Sequence, residues 1–99
     1  MTTEIQYVKM PTSDTMTTYT ESKLAKLSNH YPWLIKANVM FKIEHDPKGA
    51  DKVCEIELSA PGPRIFAAST EKNFELAVKK TVSDLNVQLK KRKAQFLQH

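Results

Sequence analysis

Glycine is scarce: only Gly49 and Gly62 occur in 99 residues. Phosphate loops and dinucleotide fingerprints need glycines clustered within a few positions, so both are excluded. The single cysteine, Cys54, excludes an internal disulfide and a cysteine-based zinc site. No apolar stretch approaches the ~20 residues of a membrane span. The opening MTTEIQYVKM carries neither the apolar stretch nor the cleavage site of a secretory signal. These absences predict a cytoplasmic protein with no membrane partner. The length predicts one domain, residues 1–99.

What is present is basic charge in one place. The net charge is +4. Residues 1–78 hold nine Lys/Arg against ten Asp/Glu, a net of −1, and residues 79–99 hold six against Asp84 alone, a net of +5. Charge clustered on one element is the footprint of a polyanionic partner, because a merely solvated helix interleaves both signs.

The pattern along the chain predicts β-α-β-β-β-α. Glu4 to Val8 is a short β-prone stretch. Ser13 and Asp14 suit a helix start, the first as a cap and the second at the positive end of the dipole. Met16, Tyr19, Thr20, Leu24, Leu27 and Tyr31 then share one helix face, and Pro32 ends the helix. Ala37 to Glu44 alternates, with Val39, Phe41 and Ile43 to the core and Met40 among the outward residues. Asp46 to Gly49 is a loop. Val53 to Ala60 alternates again, with Cys54, Ile56, Leu58 and Ala60 inward. Pro61-Gly62 suits a type II turn, and Ile65 to Thr70 completes an antiparallel meander. Lys72 to Leu97 is a long helix whose apolar side holds Phe74, Val78, Val82, Leu85, Leu89 and Phe96. Each helix has one apolar stripe, so both must cover one face of a four-stranded sheet, an α+β fold.

No catalytic constellation is visible, and the chain is not expected to be an enzyme. His30, His45 and His99 fall at a helix end, in a loop and at the terminus, without metal-ligand spacing, so neither metal nor cofactor is expected. Cys54 reads as a small core residue, Glu55 and Glu57 as solvent-facing strand residues, and Trp33 as a packing anchor. Lys79, Lys80, Lys90, Lys91 and Lys93 lie on the side of the last helix away from its apolar stripe. Tyr19, Lys23, Lys26 and His30 line one flank of the first helix. With the two helices side by side, that flank joins the last helix in a groove-like basic surface.

Three segments carry a resemblance. They are Lys23-Leu24-Ala25-Lys26-Leu27, then Asn73-Phe74 with Ala77-Val78, then Leu85, Gln88-Leu89, Lys91, Lys93, Phe96 and Gln98-His99. In this order and spacing the chain resembles the short form of the ribosome hibernation promoting factors, also called ribosome-associated inhibitor A or sigma-54 modulation protein. The resemblance implies a fold akin to the double-stranded RNA-binding domain with an extra first strand. It implies binding to rRNA and ribosomal proteins of the small ribosomal subunit, at the decoding region where mRNA and A- and P-site tRNA would lie. The implied action is steric: it blocks translation and protects idle ribosomes under stress, with no small-molecule substrate. Lys23, Lys26, Lys91 and Lys93 match basic positions that the family sets against rRNA. His30, Lys79, Lys80 and Lys90 join them as candidate contacts. The family's dimerisation domain has no counterpart here, so ribosome pairing would need another factor. The chain departs from the pattern at Tyr7, where a glycine is usual, and at Thr17, Asp84 and Val87, where basic residues are. The alternatives are an ordinary double-stranded RNA-binding domain and a sigma-54-type transcription-modulating interaction domain. An exposed apolar patch on the open sheet face would favour the latter.

Overall fold

A computed structural model describes residues 1–45 and 47–97. Expectations that fall on Asp46, Gln98 and His99 lie outside the described residues. The order is β1 (Thr2–Tyr7), α1 (Asp14–His30), β2 (Lys36–Ile43), β3 (Lys52–Ser59), β4 (Ile65–Glu71) and α2 (Phe74–Phe96). The four strands form one sheet in the order β1-β2-β3-β4, parallel between β1 and β2 and antiparallel in the other two pairings. The expected α+β architecture is the observed one.

The helix ends follow local chemistry. Ser13 is extended, and its hydroxyl accepts from the Met16 amide at 3.2 Å, so α1 starts at Asp14. Tyr31, before Pro32, leaves the helical region at φ −129° and ψ 76°. α2 begins two residues later than the pattern suggested. Asn73 is extended, and its side chain accepts from the Leu76 amide at 2.9 Å, which fixes the helix start at Phe74.

Both helices bury their stripes in one core. Leu24 and Leu27 of α1 meet Ala77, Val78, Leu85 and Leu89 of α2 over Val39, Phe41, Ile56, Leu58 and Ala67 of the sheet. Two readings need correction at strand ends. Ile43, expected inside, is 52% exposed, because the cover over β2 ends at Phe41 with Tyr7 and Phe74. Val53, expected on the open face, is buried between its cross-strand partners Lys42 and Thr70. Phe96 also lies further out than its helix position suggests, packing edge-on against Trp33 at 5.0 Å. Trp33 meets Tyr31 as well, at 5.7 Å, and is the expected packing anchor.

Tyr7 and Thr17 meet each other at the start of α1. The Tyr7 hydroxyl donates to the Ser13 carbonyl at 2.9 Å and lies 2.8 Å from Thr17 Oγ1. The Tyr7 ring rests on Phe41, so the pair ties the first turn of α1 to the sheet.

The β3–β4 turn is held from α2. Arg92 donates from Nη1 to the Pro61 carbonyl and from Nη2 to the Pro63 carbonyl, both at 2.9 Å. Between them Gly62 has φ +94°, as the third position of a type II turn requires. Arg92→Ala should therefore cost about 1–2 kcal/mol, two charge-assisted bonds at a partly exposed site. Equilibrium urea unfolding measures it, and an unchanged midpoint would show the clamp to be incidental.

Candidate nucleic-acid interface

Lys23, Lys26 and His30 follow one another along one edge of α1 at spacings of three and four, which stack on a helix surface. α2 offers Lys79, Ser83 and Asn86 in a matching row. The two rows face each other. Lys23, Lys26, Leu27 and His30 on one side and Lys79, Val82, Ser83 and Asn86 on the other line a cleft of about 260 Å³. The Tyr31 hydroxyl, at the end of α1, donates to Asn86 Oδ1 at 2.8 Å and ties the helices together there. Beyond that link, a second depression is lined by His30, Tyr31, Lys90, Lys93 and Ala94. His30 borders both, so one basic groove runs along the helix pair.

Six of the eight candidate residues come together in this groove: Lys23, Lys26, His30, Lys79, Lys90 and Lys93. Lys80 and Lys91 do not. They lie further round α2, on a line about three turns long. The Lys80 ammonium is 3.7 Å from Glu71 at the end of β4. Lys91 borders a separate depression with Arg64, Gln88 and Gln95 beside the β3–β4 turn.

The charge in the groove is uncompensated. Among the described residues no carboxylate pairs with Lys23, Lys26, Lys79, Lys90, Lys91 or Lys93. Lys23 instead lies over the Tyr19 ring, 5.5 Å from its centroid, which steadies a long side chain without neutralising it. The open sheet face is built the other way. Lys36 pairs with Glu4 at 3.2 Å, Lys42 with Glu44 and Glu55 at 3.2 Å, and Arg64 with Glu57 at 2.8 Å. The hydrogen bond that the Lys42 ammonium donates to Glu55, reinforced by the one to Glu44, raises its pKa. Glu55 and Glu57 are thus tied to separate cations rather than to each other.

Nothing in the arrangement makes Cys54 a nucleophile. It is fully buried, and burial pushes its thiol up to about 12. The native protein should therefore resist alkylation at neutral pH and react at the rate of a free thiol only once unfolded. Rapid labelling without denaturant would contradict this placement. Among the described residues no group of three or more His, Cys, Asp or Glu side chains is placed to hold a metal ion. Nor, among them, is any helix long and apolar enough to cross a membrane.

Sequence reasoning missed Ser83 and Asn86 as lining residues, although both share a helix line with Lys79 and Lys90. It also could not separate Lys80 and Lys91 from the groove. A helix wheel gives the outward half of α2 but not which edge meets α1.

The family described as sigma 54 modulation protein / S30EA ribosomal protein matches residues 3–96. No curated protein matches the chain. Among solved structures, the fold is similar to a ribosomal subunit interface protein from Coxiella burnetii, with a TM-score of 0.82 and 22% identity over 95% of this chain and 99% of that one. It is also similar to the N-terminal domain of Protein Y from Thermus thermophilus, with a TM-score of 0.77 and 21% identity over 92% of this chain and 98% of that one.

Proposed function

The chain belongs to the sigma 54 modulation protein / S30EA ribosomal protein family, and from that premise we propose that it is a ribosome hibernation factor. It binds the small ribosomal subunit at the decoding region, along the path of mRNA and of A- and P-site tRNA. It stops translation and protects idle ribosomes by occupying that path, without chemical turnover.

The observation that carries this reading is the uncompensated basic groove shared by both helices, opposite a sheet face whose charges are paired. A rigid array of ammonium groups can engage several phosphates at once and gains affinity by releasing their condensed counterions. Such recognition follows the shape of folded RNA and needs no base-reading residues. The partners are then rRNA together with the ribosomal proteins around the site.

Sucrose-gradient sedimentation with purified subunits tests the proposal. The protein should travel with the small subunit, leave it as salt is raised, and be displaced by mRNA with P-site tRNA. Co-occupancy with bound mRNA and tRNA would rule out the decoding region.

One observation favours the protein-interaction alternative. Phe66 is 52% exposed on the open face, across from Glu57, and lines a shallow depression there with Met40 and Glu55. If Phe66→Ser abolished ribosome association while groove substitutions left it intact, the open face would be the docking surface instead.

A further inference from the structure

We propose that the cleft between α1 and α2 is a nucleotide pocket, taking one unstacked nucleotide with its base inward and its phosphates on the rim lysines. The inference rests on the ribosome reading only for where such a nucleotide would be met.

The first support is the floor. Phosphate contacts alone require only a convex row of cations. Here the lysines stand around an apolar depression, with Leu27 5% exposed and Val82 partly buried beneath them. The methylene stems of Lys23 and Lys79 extend that surface toward the rim. A flat, weakly hydrated base face gains by covering such a floor, while its phosphate stays among the ammonium groups.

The second support is polar and directional. Asn86 Oδ1 is engaged by the Tyr31 hydroxyl at 2.8 Å. That bond fixes the orientation of the amide, so the capacity left on this lining residue is mainly its pair of N–H donors. Ser83 adds a hydroxyl that can donate or accept. Fixed donors beside an apolar floor suit the carbonyl or ring-nitrogen acceptors on a base edge, and a bare phosphate has no use for the floor.

The third support is size. About 260 Å³ is below the usual range for a drug-sized ligand or a large cofactor and is of the right order for one base with its ribose. The same chemistry is offered by a nucleotide turned out of folded RNA and by a free mononucleotide.

Isotope-labelled methyl groups of Leu27 and Val82 report occupancy of the floor. The probes are a short single-stranded oligoribonucleotide, the same strand with one abasic residue at its centre, adenosine 5′-monophosphate, and pyrophosphate as a charge control. The intact strand should shift both methyl signals and bind about tenfold more tightly than its abasic counterpart. The mononucleotide should shift the same signals, and pyrophosphate should not. Saturation by the mononucleotide at the strand's affinity would make a free nucleotide the occupant. Tighter saturation by the strand would assign the cleft to RNA. Ser83→Leu fills the cleft from an exposed position with every lysine kept and no aromatic face added, so it should erase the tenfold preference and leave the salt dependence unchanged. Equal binding of intact and abasic strands, with silent methyl groups, would overturn the nucleotide pocket even if the protein still sedimented with ribosomes. Methyl shifts with a clear base preference, but no sedimentation with the small subunit, would uphold the pocket and overturn the ribosome reading instead.

Discussion

Phe41→Ala should destabilise the protein by about 3–5 kcal/mol, the usual result of truncating a buried aromatic side chain. Phe41 is fully buried in β2, with the Tyr7 ring 5.2 Å away on one side and Phe74 at 5.3 Å, edge-on, on another. Removing the ring opens a cavity where β1, β2 and the start of α2 meet. It also withdraws support from Tyr7, whose hydroxyl holds the first turn of α1 through Ser13 and Thr17. Domains of this size are stable by only about 5–15 kcal/mol, so the variant should sit near its unfolding threshold at growth temperature. Ile43→Ala, two residues along the same face but 52% exposed, should cost less than about 1 kcal/mol. Denaturant midpoints for the two variants check both values. Similar losses would mean that the cover over β2 extends past Phe41.

That contrast marks what the sequence can and cannot tell. The alternation in β2 correctly faced Val39 and Phe41 inward, because a period of two fixes the face of every residue in a strand. It says nothing about where the helices stop covering that face, which is why Ile43 was placed wrongly. Helix ends were legible at Ser13 and Pro32, since capping and the restriction before proline act within one turn. The start of α2 was less so, because Asn73 reads as helix or cap until its backbone is known. The same limit governs the basic surface. Charge asymmetry placed the lysines on the outward half of α2 without the fold. Dividing them between two edges requires knowing that α1 lies along the edge holding Lys79, Ser83 and Asn86. Arg92 is the plainest case: its charge counted toward the basic excess, but its guanidinium is spent on the Pro61 and Pro63 carbonyls.

That division yields the last prediction. The triple variant Lys26→Gln, Lys79→Gln, Lys93→Gln removes three ammonium groups along the groove and touches nothing buried, since all three side chains are exposed. If each group replaces condensed counterions on rRNA, each loss should flatten the plot of log affinity against log salt by roughly 0.7–0.9. Three losses then remove about 2–3 from the slope, and between molar and physiological salt this amounts to roughly a hundredfold weaker binding to the small subunit. Stability should change by no more than about 0.5 kcal/mol, as expected for exposed substitutions. The single change Lys80→Gln should leave the slope nearly as it was, because Glu71, at 3.7 Å, already offsets that charge. Lys91→Gln should likewise leave the slope nearly unchanged, because Lys91 stands outside the groove, on the far edge of α2 beside Arg64. Affinity measured at several salt concentrations separates these cases. A triple variant that keeps the wild-type slope, with Lys80→Gln losing it, would move the interface from the groove to the opposite edge of the helix.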